Sequence, residues 1–306
     1  MAPEAGHAAL VGPTASGKSA IALAIARADP SWELVTVDSM QVYRGMDIGT
    51  AKPTPAEQAE VPHHLLDLAD PWDDFDLASY QAAARESIGG IERRGRRALL
   101  VGGTALYLRA VVDDLTLPGQ HAEVRAALEA EADAVGVPAL HARLAELDPA
   151  AAARMEPTNR RRVVRALEVT LGSGHPFSSF GPGLDAHPPT RFRLVGLRWD
   201  RRALDERIAE RYRLQLEQGF LEEVRRLVTG PRPLSRTAAQ ALGYKELAEH
   251  LAGRCTLDEA VDLAVRRTRR FARRQERWFR RDPRIAWVDV VDHPLSAVEP
   301  VRRLLG

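Results

Sequence analysis

Apolar positions along this 306-residue chain recur in two rhythms. Five short runs are almost wholly apolar, at residues 8–11, 34–37, 98–101, 192–197 and 285–290. Runs of this length bounded by turn residues predict strands buried on both faces. Between them the apolar spacing changes to three and four, as in SAIALAIARA at 19–28, which predicts helices with one packed stripe. Short buried strands alternating with helices predict an α/β fold, a parallel sheet layered between helices.

Residues 118–189 break the alternation. Helical periodicity recurs there at 123–135, 139–147 and 160–171, and the strand rhythm is missing. Pro118-Gly119 opens the region. A turn-rich stretch with Gly172, Gly174, Pro176, Gly181, Pro182, Gly183, Pro188 and Pro189 closes it. The strand rhythm resumes at Phe192. The region therefore reads as an all-helical insertion, 118–189, in a core domain made of 1–117 and 190–306.

In covered parallel sheets, ligands sit beyond the carboxyl ends of the strands. The first predicted strand leads into Gly12-Pro13-Thr14-Ala15-Ser16-Gly17-Lys18-Ser19, which fits G-x-x-x-x-G-K-[ST]. Glycines let such a loop wrap so that backbone N–H groups meet one anion, and the following helix adds its positive end. Lys18 supplies a mobile cation, and Ser19 a hydroxyl for Mg²⁺. A Gly-rich surface turn is the bland alternative, and the strand before and helix after speak against it. The second predicted strand leads into Asp38-Ser39 and the third into Gly102-Gly103-Thr104. Three segments thus aim at one crevice. The expected fold class is P-loop NTPase-like α/β, three layers with helices on both faces of a parallel sheet, plus the helical insertion.

Composition narrows the setting. The chain is 45% hydrophobic and 28% charged, with a formal net charge of +1, ordinary for a globular protein. Its one cysteine, Cys255, excludes an internal disulfide and a Cys-rich zinc site, and suits a reducing cytoplasm. Apolar runs fall short of the ~20 residues of a membrane span. A first strand within ten residues of the start leaves no room for a signal peptide, so no membrane is expected. His63-His64 lacks the spacing of a metal pair and reads as structural. Asp67, Asp70, Asp73, Asp74 and Asp76 read as a solvated loop.

Positive charge is concentrated in two places. Arg160-Arg161-Arg162 is followed by Arg165, and residues 266–284 hold ten arginines against Glu276 and Asp282. In the second stretch Ala264, Thr268, Phe271, Gln275 and Trp278 fall at helical spacing and supply a packing face. One arginine-rich helix alone reads as a solvated face with ion pairs. Two such elements in a nearly neutral chain, with too few acids nearby, point to a polyanion larger than a nucleotide.

The segment DSMQVYRGMDIGTAKP at 38–53 resembles the signature of bacterial tRNA dimethylallyltransferases, also called tRNA isopentenyltransferases. Six further pieces resemble that family in the same order: GPTASGKS at 12–19, VPHHLLD at 61–67, GGTALYLRA at 102–110, RRVVRALEV at 161–169, QALGYKEL at 240–247 and TRRFARRQERWFRRD at 268–282. The resemblance spans almost the whole chain. It implies transfer of a dimethylallyl group from dimethylallyl diphosphate to the exocyclic amine of the adenosine 3′ of the tRNA anticodon. Pyrophosphate leaves with the help of Mg²⁺.

The resemblance also implies roles. Gly12, Pro13, Thr14, Ala15, Ser16, Gly17, Lys18 and Ser19 would hold the donor diphosphate rather than ATP. Arg211 would clamp it further, unless it is an ordinary helix-surface arginine. Asp38 would take the proton of the amine, its alternatives being a helix cap or a Mg²⁺-organising aspartate. The Thr104 hydroxyl would bridge the donor oxygen or the adenine, unless Gly102-Gly103 is only a tight strand-to-helix turn. An adenine taken out of its stack would meet Ser39, Met40 and Gln41. Arg125, Arg161, Arg162, Val163, Val164 and Arg165 of the insertion, with Arg270 and Arg274, would contact the anticodon stem-loop. A monomer is expected.

Three other readings share some of these features: an ATP-dependent small-molecule kinase, an isopentenyltransferase acting on free AMP, and an RNA-binding module with a vestigial loop. The arginine-rich elements, the long insertion and the intact Lys18, Ser19, Asp38 and Thr104 disfavour them in turn.

Overall fold

The structure is a computed structural model describing residues 6–181 and 183–306; Pro182 of the turn-rich stretch lies outside them. Six strands form one parallel sheet: β1 (His7–Val11), β2 (Trp32–Val37), β3 (His63–His64), β4 (Arg97–Gly102), β5 (Phe192–Arg198) and β6 (Ile285–Asp289). Their spatial order is β3-β2-β4-β1-β5-β6. Every residue of β1 and β2 is buried. Since successive side chains point to opposite faces, both faces of the sheet are covered. The helices Lys18–Ala28 and Leu77–Arg93 each pack on β2 and β4 without packing on each other, so they occupy opposite faces.

Five of these strands lie on the five apolar runs. β3 was not among them. It has two residues, too few for a rhythm, and pairs with β2 at Leu34 and Val35. Its histidines are structural: His64 Nε2 meets the buried Glu33 carboxylate at 2.7 Å, and His63 Nδ1 meets the Val61 carbonyl at 2.7 Å. The acidic run is also held locally. Asp67 pairs with Lys52 at 2.6 Å and Asp70 with Arg44 at 3.1 Å, while Asp76 caps the helix Leu77–Arg93.

The chain divides into two compact units, one of Met1–Asp113 with Pro189–Gly306, the other Asp114–Pro188. In the first unit Thr190 Oγ1 donates to the Val112 carbonyl at 2.8 Å, so the chain leaves and re-enters the sheet unit at adjacent points. The second unit is built from the helices Ala122–Val135, Val137–Leu147, Pro149–Ala152 and Arg160–Ser173. Its own core holds Leu128, Leu140, Leu144, Val163, Val164 and Leu167. Val163 and Val164 are 0% exposed there. This corrects the expectation that they touch RNA: they are the apolar face of a helix whose exposed arginines, Arg161 and Arg162, point away from that core.

Candidate functional site

Two registers bring the three loops together. Val11 pairs with Gly102, and Gly102 with Val37. The residues that follow, Gly12, Gly103 and Asp38, therefore leave the sheet side by side. Thr104 N–H donates to the Val37 carbonyl at 3.2 Å, and Ser39 N–H donates to Thr104 Oγ1 at 3.2 Å. Asp38 Oδ1 accepts from Met40 N–H at 2.8 Å, which turns the chain and orients the carboxylate.

The loop after β1 is preformed. Gly17 adopts φ +84°, and a Cβ there would run into Pro294, so only glycine fits. The Ser16 carbonyl accepts from Trp199 Nε1 at 3.0 Å and the Ala15 carbonyl from Arg207 Nε at 3.0 Å. Thr14 N–H is taken by Gln275 Oε1 at 2.9 Å and Ser16 N–H by the Pro13 carbonyl at 3.3 Å, so the N–H groups from Gly17 onward are the ones left for an anion. The helix Lys18–Ala28 begins without a side-chain cap and with no acid in its first turn. Its first N–H groups and positive end thus remain for an anion.

Lys18 is buried, and its ammonium donates to the Pro13 carbonyl at 2.7 Å and to Ser16 Oγ at 3.4 Å. Burial pulls its pKa down to about 7; Asp38 opposes the shift and Arg211 adds to it. Arg211, from the helix Arg201–Glu217, donates to Thr14 Oγ1 at 3.0 Å and to the Gly49 carbonyl at 3.2 Å. Its burial lowers its pKa too, against the pull of Tyr212, Asp38 and Tyr244. Two desolvated cations beside one carboxylate make a site short of negative charge, which a diphosphate would supply. Tyr80 and Tyr107 stack at 4.1 Å, and burial, with a smaller contribution from Asp38, raises the pKa of both phenols.

Ser19 is exposed at the mouth of the loop. No group of three or more His, Cys, Asp or Glu able to hold a metal occurs among the described residues. Mg²⁺ keeps waters and substrate phosphates as ligands, so the single exposed Ser19 hydroxyl fits it.

Sequence reasoning passed over several residues that build this site. Glu223, 1% exposed, accepts from the N–H groups of Asp47, Ile48 and Gly49 at 3.0, 2.7 and 3.1 Å, and from Tyr244 Oη at 2.6 Å. It thereby fixes the 38–53 segment against Arg211. In LEEVRRL it reads as an ordinary surface acid, and nothing in the pattern marks it. Gln215 Nε2 and Gln275 also bond into these loops. Gln41 is turned inward, its amide donating to the Thr50 and Ala51 carbonyls at 3.0 and 3.1 Å. Met40 packs partly into the core, and Ser39 is half-buried.

In the helical unit Arg161 and Arg162 are exposed. Arg125 and Arg165 pair with the buried Glu168 at 3.3 and 2.7 Å. On the helix Leu257–Phe279, Arg267 pairs with Glu246 at 2.5 Å and Arg280, just past its end, with Glu276 at 2.6 Å. Among the described residues Arg266, Arg270, Arg273, Arg274, Arg277 and Arg281 are exposed and have no carboxylate partner. Helical spacing places the first five on one stripe of the helix, and Arg281 follows just past its end.

The family described as "IPP transferase" matches residues 41–282, and that described as "Isopentenyl transferase" matches residues 6–68. The tRNA dimethylallyltransferase of Kineococcus radiotolerans is 49% identical over 304 residues, covering 97% of this chain and 95% of that protein. That of Streptomyces coelicolor is 50% identical over 300 residues, covering 96% and 95%. The full-length tRNA isopentenylpyrophosphate transferase of Bacillus halodurans superposes with a TM-score of 0.70 at 39% identity, covering 98% and 95%. A eukaryotic dimethylallyltransferase acting on tRNA shares the fold, with a TM-score of 0.80 at 24% identity over 97% of this chain and 77% of that one.

Proposed function

Because the chain belongs to the tRNA dimethylallyltransferase family, we infer that it transfers a dimethylallyl group to an adenosine of tRNA. The donor we assign is dimethylallyl diphosphate, and the acceptor is N6 of the adenosine 3′ of the anticodon. The observation that carries the assignment is the strand register that sets Asp38 beside the Gly12–Ser19 loop and the Gly103-Thr104 turn, with Arg211 bonded to that loop at Thr14.

The chemistry follows from what each group is suited to do. The donor's C1–O bond breaks and its electron pair leaves with pyrophosphate. The loop N–H groups, Lys18 and Arg211 stabilise that departing charge. The N6 amine forms the new bond to C1 and loses a proton to Asp38. The Thr104 hydroxyl accepts from Ser39 N–H, which leaves its own proton to donate toward donor or base. Ser19 and the donor phosphates would hold Mg²⁺, which supplies charge neutralisation when bound.

To present its adenine the anticodon stem-loop must release the base from its stack. The unpaired arginine stripe suits its phosphates, as do Arg161 and Arg162 of the helical unit. The protein would act as a monomer in the cytoplasm. The test is incubation with radiolabelled dimethylallyl diphosphate and unmodified tRNA, followed by nucleoside analysis. Label in N6-modified adenosine is expected. Transfer to free AMP instead, or ATP turnover with no response to the donor, would replace this reading.

A further inference from the structure

Gln275 sits on the packed face of the helix Leu257–Phe279, 6% exposed, opposite the arginine stripe. Its Oε1 accepts from Thr14 N–H at 2.9 Å, and its Nε2 donates to the Gly103 carbonyl at 2.9 Å. Thr14 belongs to the loop after β1, and Gly103 precedes Thr104 after β4. One amide therefore ties the two loops that carry the diphosphate cradle and the Thr104 hydroxyl. A Cβ on Gly103 would fall on the Gln275 amide, so glycine there admits the tie. An uncharged amide of this length offers an acceptor to one loop and a donor to the other.

We propose that Gln275 is a positioning residue for the transfer step. It touches neither substrate. It sets the separation between the diphosphate cradle and the Asp38–Thr104 edge of the crevice, and hence the approach of N6 to C1. A misplacement of ~1 Å in such a geometry costs ~100-fold in rate. The proposal rests on the prenyl-transfer reading above.

The experiment is single-turnover transfer by Gln275→Met, which keeps the bulk and loses both bonds, and by Gln275→Asn, which keeps the amide and loses its reach. Dissociation constants for tRNA and pyrophosphate and a melting temperature accompany each. The expected result is a rate constant lower by roughly 10- to 100-fold in both variants, with both dissociation constants within about threefold of the parent. A role in folding alone would lower the melting temperature and the burst amplitude but leave the rate constant per active molecule unchanged. That outcome, or a rate within about twofold of the parent, overturns the proposal. Should Gln275→Met fail to fold, Gln275→Asn decides by the same criteria. Failure of the parent protein to alkylate tRNA would instead sink the prenyl-transfer reading, before any variant is compared.

Discussion

Asp38 does two things with one carboxylate. One oxygen holds the turn through Met40 N–H, and the group is the base assigned to N6. Asp38→Asn keeps an acceptor for Met40 and removes the base. It should lower single-turnover transfer by roughly 10²- to 10⁴-fold while tRNA affinity stays within about threefold; a near-parental rate would move the base elsewhere. Lys18 carries a pH signature. In the free protein its pKa is about 7. A bound diphosphate favours the ammonium, so the pKa of the complex lies above that of the free site. Binding must then take up a proton above pH 7, and affinity must fall as pH rises beyond it, by up to about tenfold per unit. Calorimetry with pyrophosphate in buffers of different ionisation enthalpy checks this. Lys18→Arg, which stays charged, should lack the extra proton and so separates it from the ligand's own titration.

At the scale of elements, two helices act through what they hold. Glu223 on the helix Phe220–Val228 gathers three backbone N–H groups and the Tyr244 hydroxyl. Glu223→Gln replaces one acceptor oxygen by a donor facing those donors. It should cost about 2 kcal/mol in urea unfolding and weaken pyrophosphate binding, because Gly49 is a partner of Arg211. Tyr244→Phe should cost about 1 kcal/mol. Equal stabilities for both variants and the parent would mean the 38–53 segment is held by other contacts. The helix Leu257–Phe279 acts through its stripe. Each arginine neutralising an RNA phosphate contributes close to one unit to the slope of log affinity against log salt. Arg270→Gln with Arg274→Gln should therefore flatten that slope by about 2. An unchanged slope would turn this face away from RNA.

At the scale of the molecule, the two units have separate cores. The sheet unit leaves and re-enters at Val112 and Thr190, which are hydrogen-bonded to each other. Replacing residues 114–188 with a short Gly-Ser linker should leave a folded sheet unit that binds pyrophosphate, since the whole cradle lies within it. Its tRNA affinity should drop at least tenfold if Arg161 and Arg162 serve as assigned. Loss of pyrophosphate binding would show that the sheet unit needs the insertion for its own fold.

Local rules determined much of this protein from its sequence. Five strands were legible because strands buried on both faces read as continuous apolar runs. The loop was legible because wrapping an anion demands glycines and a lysine in fixed order. The arginine stripe was legible as a period. Tertiary structure decided what depends on contacts far apart in the chain. Only packing shows that Glu223 is an interior acceptor rather than a surface acid, that Gln41 faces its own loop, and that Val163 and Val164 are core. The tie of Thr14 to Gln275 spans most of the chain, and no periodicity encodes it. A side chain's type and spacing limit what it can do, but the charge beside it and the carbonyl it meets are supplied by distant segments, and these set whether it holds, binds or reacts.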